Sequence, residues 1–96
     1  MTPAEFHAAV MLPEGLSPAL QALWWQARGD WAAAHATVQA DDGAEAAWVH
    51  ALLHRAEGDL ANADYWYRRA SRSRPTVPLA EEWREIVEAL LAAASP

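Results

Sequence analysis

Gly29-Asp30-Trp31-Ala32-Ala33-Ala34 and Gly58-Asp59-Leu60-Ala61-Asn62-Ala63 are two versions of one stretch, 29 residues apart. At the same shift Leu20, Ala22 and Leu23 fall on Val49, Ala51 and Leu52. In both copies an apolar helical run leads into Gly-Asp and a second helical run follows. Gly ends a helix without steric penalty, and the Asp after it caps the next one. Self-similarity at this period marks a helix–turn–helix unit that cannot bury its apolar face alone and must stack on a neighbour. The expected fold is all-α in a single domain spanning 1–96. Two repeats lie over about 17–40 and 44–73, behind an N-terminal helix and ahead of a capping helix over about 79–94.

Composition agrees. A quarter of the chain is Ala, while Val, Ile and Thr are few, a balance that favours helix over strand. Six Trp supply the bulk that an Ala-rich core lacks. There is no Cys, hence no disulfide and no thiolate metal site. No stretch approaches the roughly 20 apolar residues of a membrane span, and no basic region precedes an apolar run at the N-terminus, so a cytoplasmic protein is expected. The net charge of −6 opposes nucleic-acid binding, which needs a basic surface. The cations are unusual: there is no Lys, and four of the seven basic residues, Arg68, Arg69, Arg72 and Arg74, stand close together.

Local signals place six helices. Thr2-Pro3-Ala4-Glu5 has the form of a capping box, and the helix it opens is expected to reach about Met11, with Phe6 and Val10 as its apolar edge. Ser17-Pro18 opens the second helix, which closes at Gly29. The third runs from Trp31 to about Gln39, with Trp31, Ala34, His35 and Val38 on one face. Asp41-Asp42-Gly43 is a turn. The fourth covers about 44–57, with Trp48, Ala51, Leu52 and Arg55 along one stripe, and the fifth about 60–73. In the last, Leu79, Trp83, Ile86, Val87, Leu90 and Leu91 recur at helical spacing, with Glu81, Glu82, Arg84, Glu85 and Glu88 forming the polar outer side that a repeat array needs at its end.

From Gly58 the spacing runs to Ala63, Tyr67, Ala70 and Pro75. This resembles the tetratricopeptide repeat, which places Gly, a small residue, an aromatic, a small residue and a closing Pro at these offsets. Ala63-Asp64-Tyr65-Trp66-Tyr67-Arg68-Arg69-Ala70 is also similar to the corresponding stretch of the Sel-one-like repeats. In the first copy Gly29, Ala34 and Trp25 fit, while Val38 stands for the aromatic and Asp41 for the second small residue. Trp48 to Leu60, followed by Tyr65 to Ala70, resembles a stretch shared by a set of small bacterial and fungal proteins. The resemblance implies a right-handed, tetratricopeptide-like superhelix and adds no chemistry.

Three groups are candidates for function. His50, His54 and Glu57, at spacings of four and three, share one helical face. Two imidazoles four apart can hold one Zn²⁺ with a carboxylate as third ligand, although the metalloprotease pattern needs Glu where Ala51 stands. The plainer reading is a pair of partly buried histidines, hydrogen-bonded to Asn62, Asp64 or Tyr65. Antiparallel pairing across Gly58-Asp59 sets His50 opposite Tyr65–Trp66. Arg68 and Arg69, near Arg72, can grip a phosphate or carboxylate. Alternatively they complement the negative end of their helix, with Asp64 pairing Arg68. The aromatics Trp48, Tyr65 and Trp66 can line a cleft or fill the core.

The reading that follows is a non-catalytic module that binds a protein or peptide segment, or a small anionic ligand. Its ligand-binding residues are Trp48, His50, His54, Tyr65, Trp66, Arg68 and Arg69. It has no cofactor, no nucleic-acid or membrane partner, and room for a homodimer. The alternative is a histidine-centred enzyme or metal-binding sensor using His50 and His54, with Glu57 as a further ligand.

Overall fold

Both Gly-Asp pairs turn one helix into the next by the same geometry. In the computed structural model, which describes residues 1–94, Gly29 and Gly58 adopt φ of 79° and 86°, a region that favours glycine. Asp30 and Asp59 each accept a hydrogen bond from the backbone N–H three residues on, at 3.0 and 3.2 Å. The backbone N–H of each Asp donates in turn to the preceding helix, Asp30 to Trp25 and Asp59 to His54. The orphan groups at both helix ends are thus satisfied locally.

Six helices result, with no strand among the described residues: α1 (Pro3–Ala8), α2 (Pro18–Ala27), α3 (Trp31–Gln39), α4 (Ala44–Ala56), α5 (Leu60–Arg69) and α6 (Leu79–Ala94). None is long and apolar enough to cross a membrane. Helix α4 is central and packs against α2, α3, α5 and α6, while α1 lies on α2 and α6. The radius of gyration is 12.1 Å, close to the roughly 12.5 Å of a compact domain this long. Phe6, Leu20, Leu23, Trp24, Val49, Leu52, Leu53, Ile86 and Val87 fill the main core, and a smaller cluster lies between α4 and α5. Ala51 and Ala63, fully buried against Tyr67, let α4 and α5 approach closely.

Polar groups fix the packing. Glu82 is only 2% exposed. One carboxylate oxygen receives Arg55 at 2.7 Å and the other receives the Tyr67 hydroxyl at 2.6 Å. Burial and then Glu82 hold the Tyr67 phenol well above its usual range, so it stays a donor. Arg55 also donates to the Val77 carbonyl in the connector before α6. Three indoles act similarly on main-chain carbonyls: Trp24 on Ala9, Trp31 on Leu53 and Trp83 on Leu23.

Four expectations are corrected. Helix α1 stops at Ala8, short of Met11, because the Ala9 carbonyl turns aside to accept from Trp24 and Arg28; Val10 is left 90% exposed. Helix α5 stops at Arg69, because Ser71 takes φ 59° and the Arg72 N–H closes back on the Tyr67 carbonyl. Glu82 does not belong to the outer face of α6. Asp64 pairs with Arg74 at 3.0 Å rather than with Arg68.

Removing one partner of a buried ion pair strands the other. Glu82→Ala is therefore expected to cost about 3 kcal/mol, and Tyr67→Phe about 1 kcal/mol through the lost hydrogen bond alone. Equilibrium urea unfolding measures both. Ala63→Leu overpacks the α4–α5 contact and is expected to cost about 1–3 kcal/mol, whereas Ala61→Leu, on the exposed side of α5, is expected to be neutral.

Candidate functional site

Three histidines from two helices meet on one side of α4. His50 and His54, one helical turn apart on α4, lie with their rings stacked at 5.0 Å. His35 comes from α3, and its Nε2 is 3.0 Å from the Nε2 of His50. One ring nitrogen from each of the three lies within 4.8 Å of the other two. His54 uses its Nδ1 on the Glu57 carboxylate at 2.7 Å. Indoles hold the ring planes: Trp31 stacks on His35 at 4.7 Å, and Trp66 of α5 stacks on His50 at 3.8 Å. His50 and His54 are buried and His35 is half-buried, so the cluster opens outward along its α3 edge.

Burial, and then His35 and His54 beside it, push His50 down to about 4. Burial and then His54 lower His35 as well, against a small opposing pull from Glu57. Both are neutral imidazoles at pH 7, each with one N–H and one lone pair. The partners expected from Asn62, Asp64 or Tyr65 are not the ones found; His35 and Glu57 take those places.

The remaining candidates lie elsewhere. Trp48 is two residues from His50, so it projects about 200° away around α4. The Arg72 guanidinium lies 3.4 Å above its ring. Arg68, Arg72, Ser73 and Arg74, with Tyr67 and Asp64, line a cavity of about 330 Å³ beyond the end of α5. Tyr65 is exposed, accepts from Arg69 at 3.2 Å, and meets Trp66 edge-on at 5.2 Å. The seven residues read from the sequence therefore fall into a histidine–indole cluster (His50, His54, Trp66), an arginine end (Trp48, Arg68) and an outer shelf (Tyr65, Arg69).

The sequence places His35 on a face of the third helix, and the turn that follows supplies its partner. The Asp41–Gly43 turn folds α4 back along α3, so a residue eight before Gly43 should meet one about seven after it, which pairs His35 with His50. Arg72 was noted only as a neighbour of Arg68; its seat on Trp48 depends on the reversal at Ser71, which has no local Gly or Pro signature.

No family model matches the chain, and no curated protein or solved structure does either. The chemistry of these clusters rests on their own side chains.

A histidine held neutral by burial makes stability depend on pH. The folded value near 4 lies below the ordinary 6.5, so between the two the unfolded chain binds the extra proton. This contribution is complete above about pH 6.5 and is lost as the pH falls toward 4. Between pH 7 and pH 5 it amounts to on the order of 2 kcal/mol. Urea titrations at both pH values, with a chelator present, are expected to show a smaller fall for His50→Gln than for the parent chain.

Proposed function

We propose that this chain is a non-catalytic binding module of two tetratricopeptide-like repeats, arranged as a short right-handed superhelix, whose arginine end takes an anionic group. The matching Gly-Asp junctions and the small residues Ala51 and Ala63 between α4 and α5 support the repeat reading. The observation that carries the binding reading is charge placement. On a chain of net charge −6, four of the seven cations gather within 68–74, and of these only Arg74 has a carboxylate partner among the described residues.

The chemistry suits recognition. Arg72 rests the face of its guanidinium on Trp48, which leaves its edge N–H groups free for a fork-shaped contact with carboxylate or phosphate. Arg68 has no protein acceptor among the described residues, and the Ser73 hydroxyl lines the same cavity. The ligand is a protein or peptide segment presenting acidic groups, or a small anion, and the compartment proposed is the cytoplasm. No reaction is assigned, because the cavity pairs its cations with no nucleophile and base in hydrogen-bonding reach of one another.

The test is a titration of ¹⁵N-labelled protein with pyrophosphate and with a Glu-rich pentapeptide. The expected result is a saturable shift of the Trp48 indole N–H with at least one of them, weakened by salt. Arg68→Ala with Arg72→Ala is expected to lower that affinity at least tenfold. Equal binding by the double variant, or no shift with either probe, overturns the reading.

A further inference from the structure

We infer that His35, His50 and His54 form a binding site for one divalent transition-metal ion of the zinc class, with Glu57 as the carboxylate that orients His54. The site is independent of the arginine end. It differs from the ligand set read from the sequence, since Glu57 moves from ligand to supporting group and His35 takes its place.

The geometry fits. Two imidazole nitrogens bound to one tetrahedral Zn²⁺ at about 2.0–2.1 Å stand roughly 3.3 Å apart. The Nε2 atoms of His35 and His50 are already at 3.0 Å. One ring nitrogen of each histidine lies within 4.8 Å of the other two, so ring movements of about 1.5 Å bring the three to the spacing of a shared ion. His54 has its Nδ1 on the Glu57 carboxylate, which leaves Nε2 as the ligating atom. That nitrogen has no hydrogen-bond partner among the described residues. A carboxylate on the far nitrogen is the usual support of a metal-ligating histidine: it fixes the tautomer and raises ligand basicity.

The donor set selects the ion. Three imidazoles without thiolate suit Zn²⁺, Co²⁺, Ni²⁺ or Cu²⁺, and exclude the all-oxygen preferences of Mg²⁺ and Ca²⁺. The stacked Trp31 and Trp66 rings limit rotation of His35 and His50, so little ordering remains to be done on binding. Three protein ligands leave a fourth position, and the half-buried His35 edge lets water reach it. In the metal-free cluster one of His35 and His50 donates its Nε2 proton to the Nε2 lone pair of the other. An ion replaces that contact after a tautomer shift and loses no net proton.

The test uses the full chain without an affinity tag, stripped with EDTA and then titrated with Zn²⁺ by calorimetry and with Co²⁺ by visible absorption. The expected result is one ion per chain and an intense Co²⁺ band of the tetrahedral type. His35→Gln, at a half-buried position, is expected to weaken Zn²⁺ binding at least a hundredfold. Glu57→Gln is expected to weaken it about tenfold. His7→Gln, which alters the one histidine outside the cluster, is expected to change nothing. On the unmodified chain, imidazole ¹⁵N shifts of His35, His50 and His54 are expected to move on adding Zn²⁺ while that of His7 stays. Equal Zn²⁺ affinity in the parent and His35→Gln, a weak octahedral Co²⁺ spectrum, or unmoved cluster shifts overturns the proposal.

Discussion

The fold depends on one carboxylate. Helix α6 lies far in sequence from the helices it covers. Its apolar stripe and the Trp83 indole seat it on the core, and Glu82 adds a polar constraint on its register. Its two oxygens are taken by Arg55 of α4 and Tyr67 of α5, so a single buried group binds three helices at a fixed register. A hydrophobic stripe tolerates sliding by a fraction of a turn, whereas a desolvated carboxylate that loses a partner does not. Arg55 extends the constraint to the Val77 carbonyl, and so to the connector that delivers α6.

Much of this architecture was legible because it is punctuated. Gly29-Asp30 and Gly58-Asp59 are local signals: a left-handed residue and a capping side chain act on backbone within a few positions. The helix ends that eluded the sequence are the ones set from a distance. The Ala9 carbonyl is claimed by Trp24 and Arg28, and the last turn of α5 gives way at Ser71, whose positive φ no glycine announces. Glu82 itself reads as an outer-face residue when grouped with Glu81 and Glu85, although helical period sets it four before Ile86 and three after Leu79, at the edge of the apolar stripe. Its burial is a tertiary event, made affordable by two donors on other helices. For the site, the α4–α5 turn was read as a mirror that brings Trp66 to His50. The α3–α4 turn mirrors just as well, and His35 emerges only when both are used.

The two clusters differ in how far packing determines them. Around His50 every ring is held: Trp66 on one face, His54 on another, His35 against Nε2. Such convergence is pre-organised, and its chemistry is set by protonation and tautomer more than by motion. The arginine end instead lies past a helix terminus, where Arg72 is seated on Trp48 and Arg74 on Asp64 while Arg68 has no partner among the described residues. Converging imidazoles suit a ligand with strict geometry, and guanidiniums suit one recognised mainly by charge.

The absence of lysine has the same physical root. Arg28 lies 3.8 Å over Trp24 while its edge donates to the His7 and Ala9 carbonyls. Arg55 divides its donors between Glu82 and Val77, Arg69 reaches both Tyr65 and Trp66, and Arg72 covers Trp48. Each of these uses a flat cation with separate face and edge, and a lysine ammonium has neither. A chain with six indoles can cover its aromatic rims with guanidinium planes and still present donors to water. Arg74 and Arg84 spend their charge on Asp64 and Glu88. Arg68 alone, among the described residues, has neither ring nor acid, and it stands beside the free edge of Arg72. The donor capacity left over after folding is therefore concentrated at one end of α5 rather than spread over the surface.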